Sequence, residues 1–145
     1  MKLAPESHAR IERFLREHFR DENLRLPPMV IYGSFFSRCL TRLFHIGAIT
    51  FGHRILVAPA LVKHEKENNR KTVPGWLIAH EAVHVLQYER DGVIRFLVIY
   101  LRGYWKGLRG ARPRWNAAAR MAAYLNIAEE CAAREAEDAY QMWSK

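Results

Sequence analysis

The chain is poor in cysteine and has no long apolar run, and these absences exclude several classes of protein. Its 145 residues include two cysteines, Cys39 and Cys131, which are too few and too far apart for the disulfide framework of a small secreted domain. The longest apolar run, VIRFLVIYL at 93–101, is interrupted by Arg95. It is also shorter than the roughly 20 residues of a membrane-spanning helix. We therefore expect free thiols and no transmembrane segment.

The N-terminal stretch lacks the uninterrupted apolar core of a signal peptide, because charged residues punctuate it. Its apolar residues recur at helical spacing, at Ile11, Phe14, Leu15 and Phe19. This spacing predicts an amphipathic helix over about 1–25, which ends before the Pro27–Pro28 pair. We expect a cytoplasmic protein, although secretion by a signal-independent system stays open.

Acidic residues are in the minority, with 15 Asp and Glu against 23 Lys and Arg and a net charge of +8. Such a balance favours anionic partners. Between 100 and 115, basic residues alternate with tyrosine and tryptophan: Arg102, Lys106, Arg109, Arg112 and Arg114 with Tyr100, Tyr104, Trp105 and Trp115. This basic segment suits phosphate contacts with base stacking, or an anionic membrane surface. It supports an alternative function, a catalytically silent module that binds nucleic acid, an anionic membrane or a protein partner.

Half of the residues are apolar, which is enough for one core and one domain over 1–145. GAITFGHRILV, within 44–60, predicts a β-hairpin, and the mixed charges of 63–72 predict a solvated loop. Helices are expected over 74–90, over about 93–105 after a stop at Gly92, and over the alanine-rich 116–143, with an irregularity near Asn126. The fold class is therefore α+β, a small antiparallel sheet packed on the 74–90 helix with further C-terminal helices.

The 74–90 helix carries the motif HEAVH, with His80 and His84 four residues apart and Glu81 between them. On an α-helix these histidines lie about 40° apart around the axis and about 6 Å apart along it, so both imidazoles can reach one metal ion. Zinc accepts neutral imidazoles and retains an open position for water, whose pKa it lowers to about 7. Glu81 is placed to act as general base toward that water. The opposing interpretation is a pair of core histidines satisfied by neighbouring hydrogen bonds.

These residues also resemble a known family. AHEAVHVLQYERDGVIRFLVIYL is similar to the H-E-x-x-H-V-x-Q-Y/W segment of a bacterial zincin-like family related to the core domain associated with extracellular contractile injection systems. AYLNIAEECAAR at 123–134 resembles a later segment of that family and GAITFGHRILV its strand pair, so the likeness covers about 46–137. The resemblance implies a zincin-like fold and zinc-dependent hydrolysis of peptide bonds, with a glutamate as third ligand. That glutamate is Glu130; Ala128 and Ala132 stand where the family commonly has a proline and a second acid.

Periodicity by itself does not choose the third ligand, because Glu129, Glu135 and Glu137 lie on the same predicted helix as Glu130. Cys39 lies about as far from His80 as the cysteine ligand of peptide deformylases, but SRCLTR lacks the Glu-Gly of those enzymes, which favours a small buried hydrophobe. The donor to a developing oxyanion is also open among four residues: Tyr88, Tyr124, Tyr140 and His64.

Overall fold

The computed structural model describes residues 3–33, 47–65, 70–110 and 116–145. These residues form an α+β fold. Its helices are α1 (Pro5–Phe19), α2 (Gly75–Gly110), α3 (Ala117–Leu125) and α4 (Ala128–Trp143). Its strands are β1 (Val30–Tyr32), β2 (Ala48–Phe51), β3 (Arg54–Val57), β4 (Lys63–Glu65) and β5 (Arg70–Thr72), with a 3-10 turn at Pro59–Leu61. Cys39, Arg112, Arg114 and Trp115 lie outside the described residues.

The main sheet is mixed, so the prediction of an antiparallel sheet was wrong. Its strand order is β1-β3-β2. β2 and β3 form the expected antiparallel hairpin, with Gly52 in the turn at a φ of 56°. β1 pairs with the other side of β3 in parallel, with Ile31 opposite Ile55. A hairpin turn fixes only the direction of its own two strands, whereas the long 33–47 connection allows β1 to run parallel to β3.

The segment 63–72, predicted as a solvated loop, contains an antiparallel ribbon instead. β4 pairs with β5, with Lys63 opposite Thr72. The prediction failed because backbone hydrogen bonds hold a two-stranded ribbon whatever its side chains, so an exposed ribbon can have the composition of a loop. Lys63 and Thr72 are both exposed.

The core lies between the main sheet, α1, α4 and the first part of α2. Its fully buried side chains include Leu15 of α1, Ile55 and Val57 of β3, and Val85 of α2. From Leu77 to Val85 every residue of α2 is buried, because α2 packs against α4, α3, β2 and α1. A helix covered on all sides is apolar all round, so the polar residues it carries here are buried with it.

Gly92 interrupts α2 and changes the direction of the chain. Its φ of 73° and ψ of 161° are not helical, and only glycine adopts this region at low cost. The sequence predicted a stop at this residue, and the backbone has its break there. Residues 93–110 then continue as a second helical part of α2. Among the helices of the described ranges, none combines the length and apolarity needed to cross a membrane.

The predicted 116–143 helix is divided in two at Asn126 and Ile127. Asn116 caps α3 by accepting a hydrogen bond from the backbone N–H of Ala119, an ordinary N-cap contact. Ile127 is fully buried and lies at the N-cap of α4, where it packs near Gly103 of α2. The break therefore sets the position at which α4 begins, and with it the position of Glu130.

The backbone at Gly92 gives a stability prediction. A Cβ added to Gly92 would meet no atom within 4 Å, so Gly92→Ala tests backbone conformation rather than packing. We expect a loss of about 1–3 kcal/mol in the free energy of unfolding, because alanine is strained at this φ and ψ. Gly110→Ala is the control, since its Cβ is equally free and its φ is not positive. Urea denaturation that gave both variants the same midpoint would contradict the role of Gly92.

Candidate metal centre

Two histidines and a glutamate from separate helices meet in the core. His80 and His84 lie on adjacent turns of α2, with their ring centroids 5.1 Å apart. Glu130 lies in the first turn of α4, and its Oε2 is 3.6 Å from His80 Nε2 while its Oε1 is 3.4 Å from His84 Nε2. One donor atom from each residue lies within 4.8 Å of the others. The spacing of the motif and the start of α4 thus bring together the three residues predicted as ligands.

The outer nitrogen of each imidazole has its own partner, which orients the ring. His80 Nδ1 lies 3.0 Å from Glu137 Oε2, and His84 Nδ1 lies 2.8 Å from Gln87 Oε1. Gln87 donates in turn to the backbone oxygen of Glu129 at 3.1 Å, so it joins α2 to the first turn of α4. With Nδ1 held by these acceptors, the Nε2 atom of each ring faces Glu130.

Burial makes the charges of this cluster interact strongly. His80, His84 and Glu130 are each at most 9 % exposed. Burial by itself lowers the pKa of His84, but the hydrogen bond and charge of Glu130, together with the charge of Glu81, outweigh it and raise the pKa to about 9. Burial by itself raises the pKa of Glu130, but contacts with His80 and His84 hold that pKa well below its usual range. The negative charge of the buried Glu130 carboxylate therefore favours a positive charge beside it, between the two imidazoles.

One atom of the cluster lacks a hydrogen bond. In the part of the chain that the structure describes, Glu130 Oε2 is the buried side-chain polar atom without a hydrogen bond. Leaving such an atom unpaired costs about 1–3 kcal/mol or more, so its presence needs a reason. Two imidazole nitrogens and a carboxylate oxygen are a set of donors that suits zinc. The residues present therefore fit a metal ion, and the orphaned oxygen is the observation that supports this fit.

Glu81 lies beside the three donors but has a different partner. Thr50 of β2 donates a hydrogen bond to Glu81 Oε2 at 2.6 Å. Glu81 is 3 % exposed and lines the same cavity as His80 and His84. The strand thus holds one carboxylate oxygen of Glu81 at the wall of the cavity.

The cavity at the cluster has a volume of about 340 Å³. Its polar wall consists of the cluster, Glu81 and Thr50, and β2 adds Ala48 and Ile49 on one side. The remaining wall is aromatic and aliphatic: Tyr88, Phe96, Leu97, Tyr100, Leu101 and Tyr124. A few convergent polar groups in a mostly apolar cavity are the usual composition of a ligand site.

Three tyrosines reach this cavity. Tyr100 donates to Glu130 Oε1 at 2.7 Å, and burial together with Glu130 raises its pKa far above the usual range. Burial and the charge of Glu130 likewise raise the pKa of Tyr124, and burial raises that of Tyr88 to about 12. All three phenols therefore stay protonated donors at neutral pH. Tyr140, another candidate oxyanion donor from the sequence, packs against Phe14 in the core instead.

The other predicted candidates lie elsewhere. Glu135 is exposed, and Glu129 contributes its backbone oxygen, not its carboxylate, to the contact with Gln87. Cys39 and the side chain of His64 are outside the described residues. Of the four acids that periodicity left open, Glu137 contacts His80 alone, and Glu130 is the one that meets both histidines.

Four contacts of the site were missing from the sequence-based prediction: those of Thr50, Gln87, Tyr100 and Glu137. Gln87 follows His84 by three residues and so shares its helix face, which is a signal that the sequence contains. Glu137 is two helical turns after Glu130 and therefore on the same side of α4. Thr50 and Tyr100 come from distant segments, and no spacing indicates them.

Comparisons with known proteins identify no relative. No protein-family model matches the chain, and no curated protein or solved structure is significantly similar to it. The zincin-like resemblance therefore stays a prediction that rests on the residues quoted for it.

The contact between Thr50 and Glu81 gives a second stability prediction. Thr50→Val keeps the shape and β-branching of the side chain but removes the hydroxyl donor. We expect the metal-free protein to lose about 1.5–3 kcal/mol, the usual contribution of a hydrogen bond to a charged group. Thr72→Val, at an exposed position of β5, should change stability by less than about 0.5 kcal/mol. Equal urea midpoints for the two variants would show that the Thr50 hydroxyl does not hold Glu81.

Proposed function

We propose that this protein is a zinc-dependent metallopeptidase whose ion is held by His80, His84 and Glu130. The observation that carries the proposal is the buried convergence of these three donors with one carboxylate oxygen unpaired. A pair of merely structural histidines would be satisfied by the surrounding hydrogen bonds. Here their outer nitrogens are satisfied, while the inner ones face a carboxylate at 3.4 and 3.6 Å.

Zinc is the proposed ion because imidazole suits it and because three protein ligands leave one coordination position open. When bound at such a site, zinc supplies Lewis acidity and lowers the pKa of water to about 7. Carboxylate-rich sites for calcium or magnesium use oxygen ligands almost throughout, which does not match two histidines.

Glu81 is the proposed general base and, after proton transfer, the acid toward the leaving amine. Its carboxylate lines the cavity without belonging to the three-donor cluster, as a base requires. Thr50 occupies Oε2 and so orients the carboxyl group with Oε1 as the atom that accepts the proton. A positioned carboxylate of this kind contributes about 10²–10⁴ to a hydrolysis rate.

Tyr100 and Tyr124 are the proposed donors to the oxygen that gains charge on a carbonyl substrate. Both line the cavity, and their raised pKa values keep them protonated. Tyr100 donates its single hydroxyl proton to Glu130 at 2.7 Å, and a hydrogen bond to Glu130 also contributes to the raised pKa of Tyr124. Either hydroxyl would turn from Glu130 to the substrate oxygen to serve as the oxyanion donor.

A peptide substrate is proposed because β2 borders the cavity. Within the described residues, β2 pairs with β3 on one side, and its Ala48, Ile49 and Thr50 line the cavity. An extended peptide can add to such an edge through backbone hydrogen bonds. The apolar wall opposite would then accept an apolar side chain of the substrate.

The first test measures zinc in the purified protein by elemental analysis. We expect about one zinc per chain in the wild type and in Glu81→Gln, loss in His80→Ala and strong depletion in Glu130→Ala. Glu135→Gln is the matched control, because it removes a neighbouring acid that lies outside the cluster. It should retain the wild-type zinc content. No zinc in the wild type after reconstitution would refute the metal centre.

The hydrolysis of fluorescein-labelled casein tests catalysis separately. Glu81→Gln should retain zinc but cleave about 10²–10⁴ times more slowly, because it has lost the base. A zinc-loaded wild type that does not cleave casein or a library of unstructured peptides would leave a metal site without peptidase activity. Equal cleavage by wild type and Glu81→Gln would remove Glu81 from the mechanism.

The partner of His80 provides a finer test. Glu137→Gln should weaken zinc binding about 10–100-fold, the usual effect of losing a carboxylate that orients a ligating histidine. Competition with a chromophoric chelator measures this affinity, and Asp138→Asn, an exposed neighbour, is the control. An unchanged affinity in Glu137→Gln would show that the contact at 3.0 Å does not support the ligand.

A further inference from the structure

The second part of α2, residues 93–110, presents apolar side chains to solvent along one line. Ile94 is 80 % exposed and Leu101 is 54 % exposed. These residues recur every three or four positions and therefore share one helix face. We call this face the apolar stripe, and its members are Ile94, Leu97, Val98, Leu101 and Trp105. At 1.5 Å per residue, it extends for about 17 Å.

A row of basic residues lies along one side of this stripe. On a helical projection at 100° per residue, the row falls between about 60° and 120° from Ile94, directly beside Val98. We call it the basic flank; it consists of Arg95, Arg102, Lys106 and Arg109, all exposed. Residues 92–110 contain no acidic residue. The nearest acid along the chain, Asp91, pairs with Arg90 and lies 3.9 Å from Arg95.

The chemistry of the two rows restricts what can cover them. A second copy of this chain would bring an identical basic flank and a net charge of +8 toward the first, so self-association is disfavoured by charge. Nucleic acid would satisfy the basic residues but prefers flat aromatic rings for stacking, whereas four of the five stripe residues are aliphatic. Aliphatic side chains beside basic ones, with a tryptophan among them, match a helix that lies in an anionic bilayer interface.

We propose that the second part of α2 docks this protein on an anionic membrane surface. The apolar stripe would enter the boundary between headgroups and acyl chains, and the basic flank would contact lipid phosphates and carboxylates. The helix lies on the membrane rather than crossing it, in agreement with the lack of a spanning helix among the described residues.

This orientation has a consequence for the cavity. Leu97 and Leu101 belong to the apolar stripe and also line the cavity at His80, His84 and Glu130. A bilayer on the stripe would therefore lie at the mouth of the cavity. If the proposed peptidase activity holds, its substrate is a polypeptide segment at the membrane surface.

Cosedimentation with lipid vesicles tests the docking. Vesicles of phosphatidylcholine alone are compared with an equimolar mixture of phosphatidylcholine and phosphatidylserine. We expect the wild type to bind the mixed vesicles and to lose this binding at high salt, because the attraction to phosphatidylserine is screened. The double variant Arg102→Glu/Lys106→Glu should bind at least about 25-fold more weakly, since each basic residue near an anionic surface contributes about fivefold.

Two further variants separate docking from net charge. Arg20→Glu/Lys145→Glu changes the net charge by the same amount at two exposed positions, the residue after α1 and residue 145, and should bind within about twofold of the wild type. Ile94→Ser/Val98→Ser retains every charge but removes apolar contact, and should weaken binding about tenfold or more. Circular dichroism checks that each variant is folded.

Several results would overturn the proposal. The first is that the wild type does not sediment with mixed vesicles at low salt. The second is that the two charge-reversal variants lose vesicle binding equally, and the third is that Ile94→Ser/Val98→Ser binds vesicles as well as the wild type. If the wild type were a dimer and Ile94→Ser/Val98→Ser a monomer, the apolar stripe would instead be the interface with a second copy of the chain. His80→Ala and Glu81→Gln should bind vesicles normally, so failure of the metal centre and failure of docking are distinguishable.

Discussion

A buried carboxylate is the constraint on which much of this structure depends. Glu130 is 3 % exposed, and a charge at such depth is tolerated only beside opposite charge and hydrogen bonds. His80, His84 and Tyr100 of α2 supply these partners. Since Glu130 belongs to α4, the same contacts join α4 to both parts of α2. The tertiary packing and the candidate metal centre therefore depend on each other.

The surrounding contacts make this arrangement rigid. Gln87 connects His84 to the backbone at Glu129, and Thr50 connects Glu81 to the sheet. Each side chain of the site is thus held by a residue from another element or another turn, which is how proteins maintain catalytic geometry. The break at Gly92 is equally important, because it allows one helix to supply the histidines and then to return Tyr100 to the carboxylate.

Exposure and burial divide α2 into two different surfaces. Its first part is enclosed by α1, α4 and β2, whereas its second part exposes aliphatic side chains next to a basic row. Gly107 lies so close to α3 that a Cβ would approach the Cα of Ala123 to 2.8 Å, and this packing holds the second part with its apolar stripe outward. The cavity lies between these surfaces.

The local features could be predicted from the sequence because they depend on residues close together in the chain. These features include the amphipathic α1, the hairpin around Gly52, the stop at Gly92, and the two histidines that α-helical geometry places on one face. Glu130 as the third donor came from resemblance, since periodicity did not choose among it, Glu129, Glu135 and Glu137. Only the tertiary structure decided among them, because the choice depends on where α4 begins after Ile127 and how it packs on α2. The parallel pairing of β1, the contacts of Thr50 and Glu137, and the exposure of the apolar stripe likewise depend on elements distant in sequence, whose relative positions no local pattern encodes.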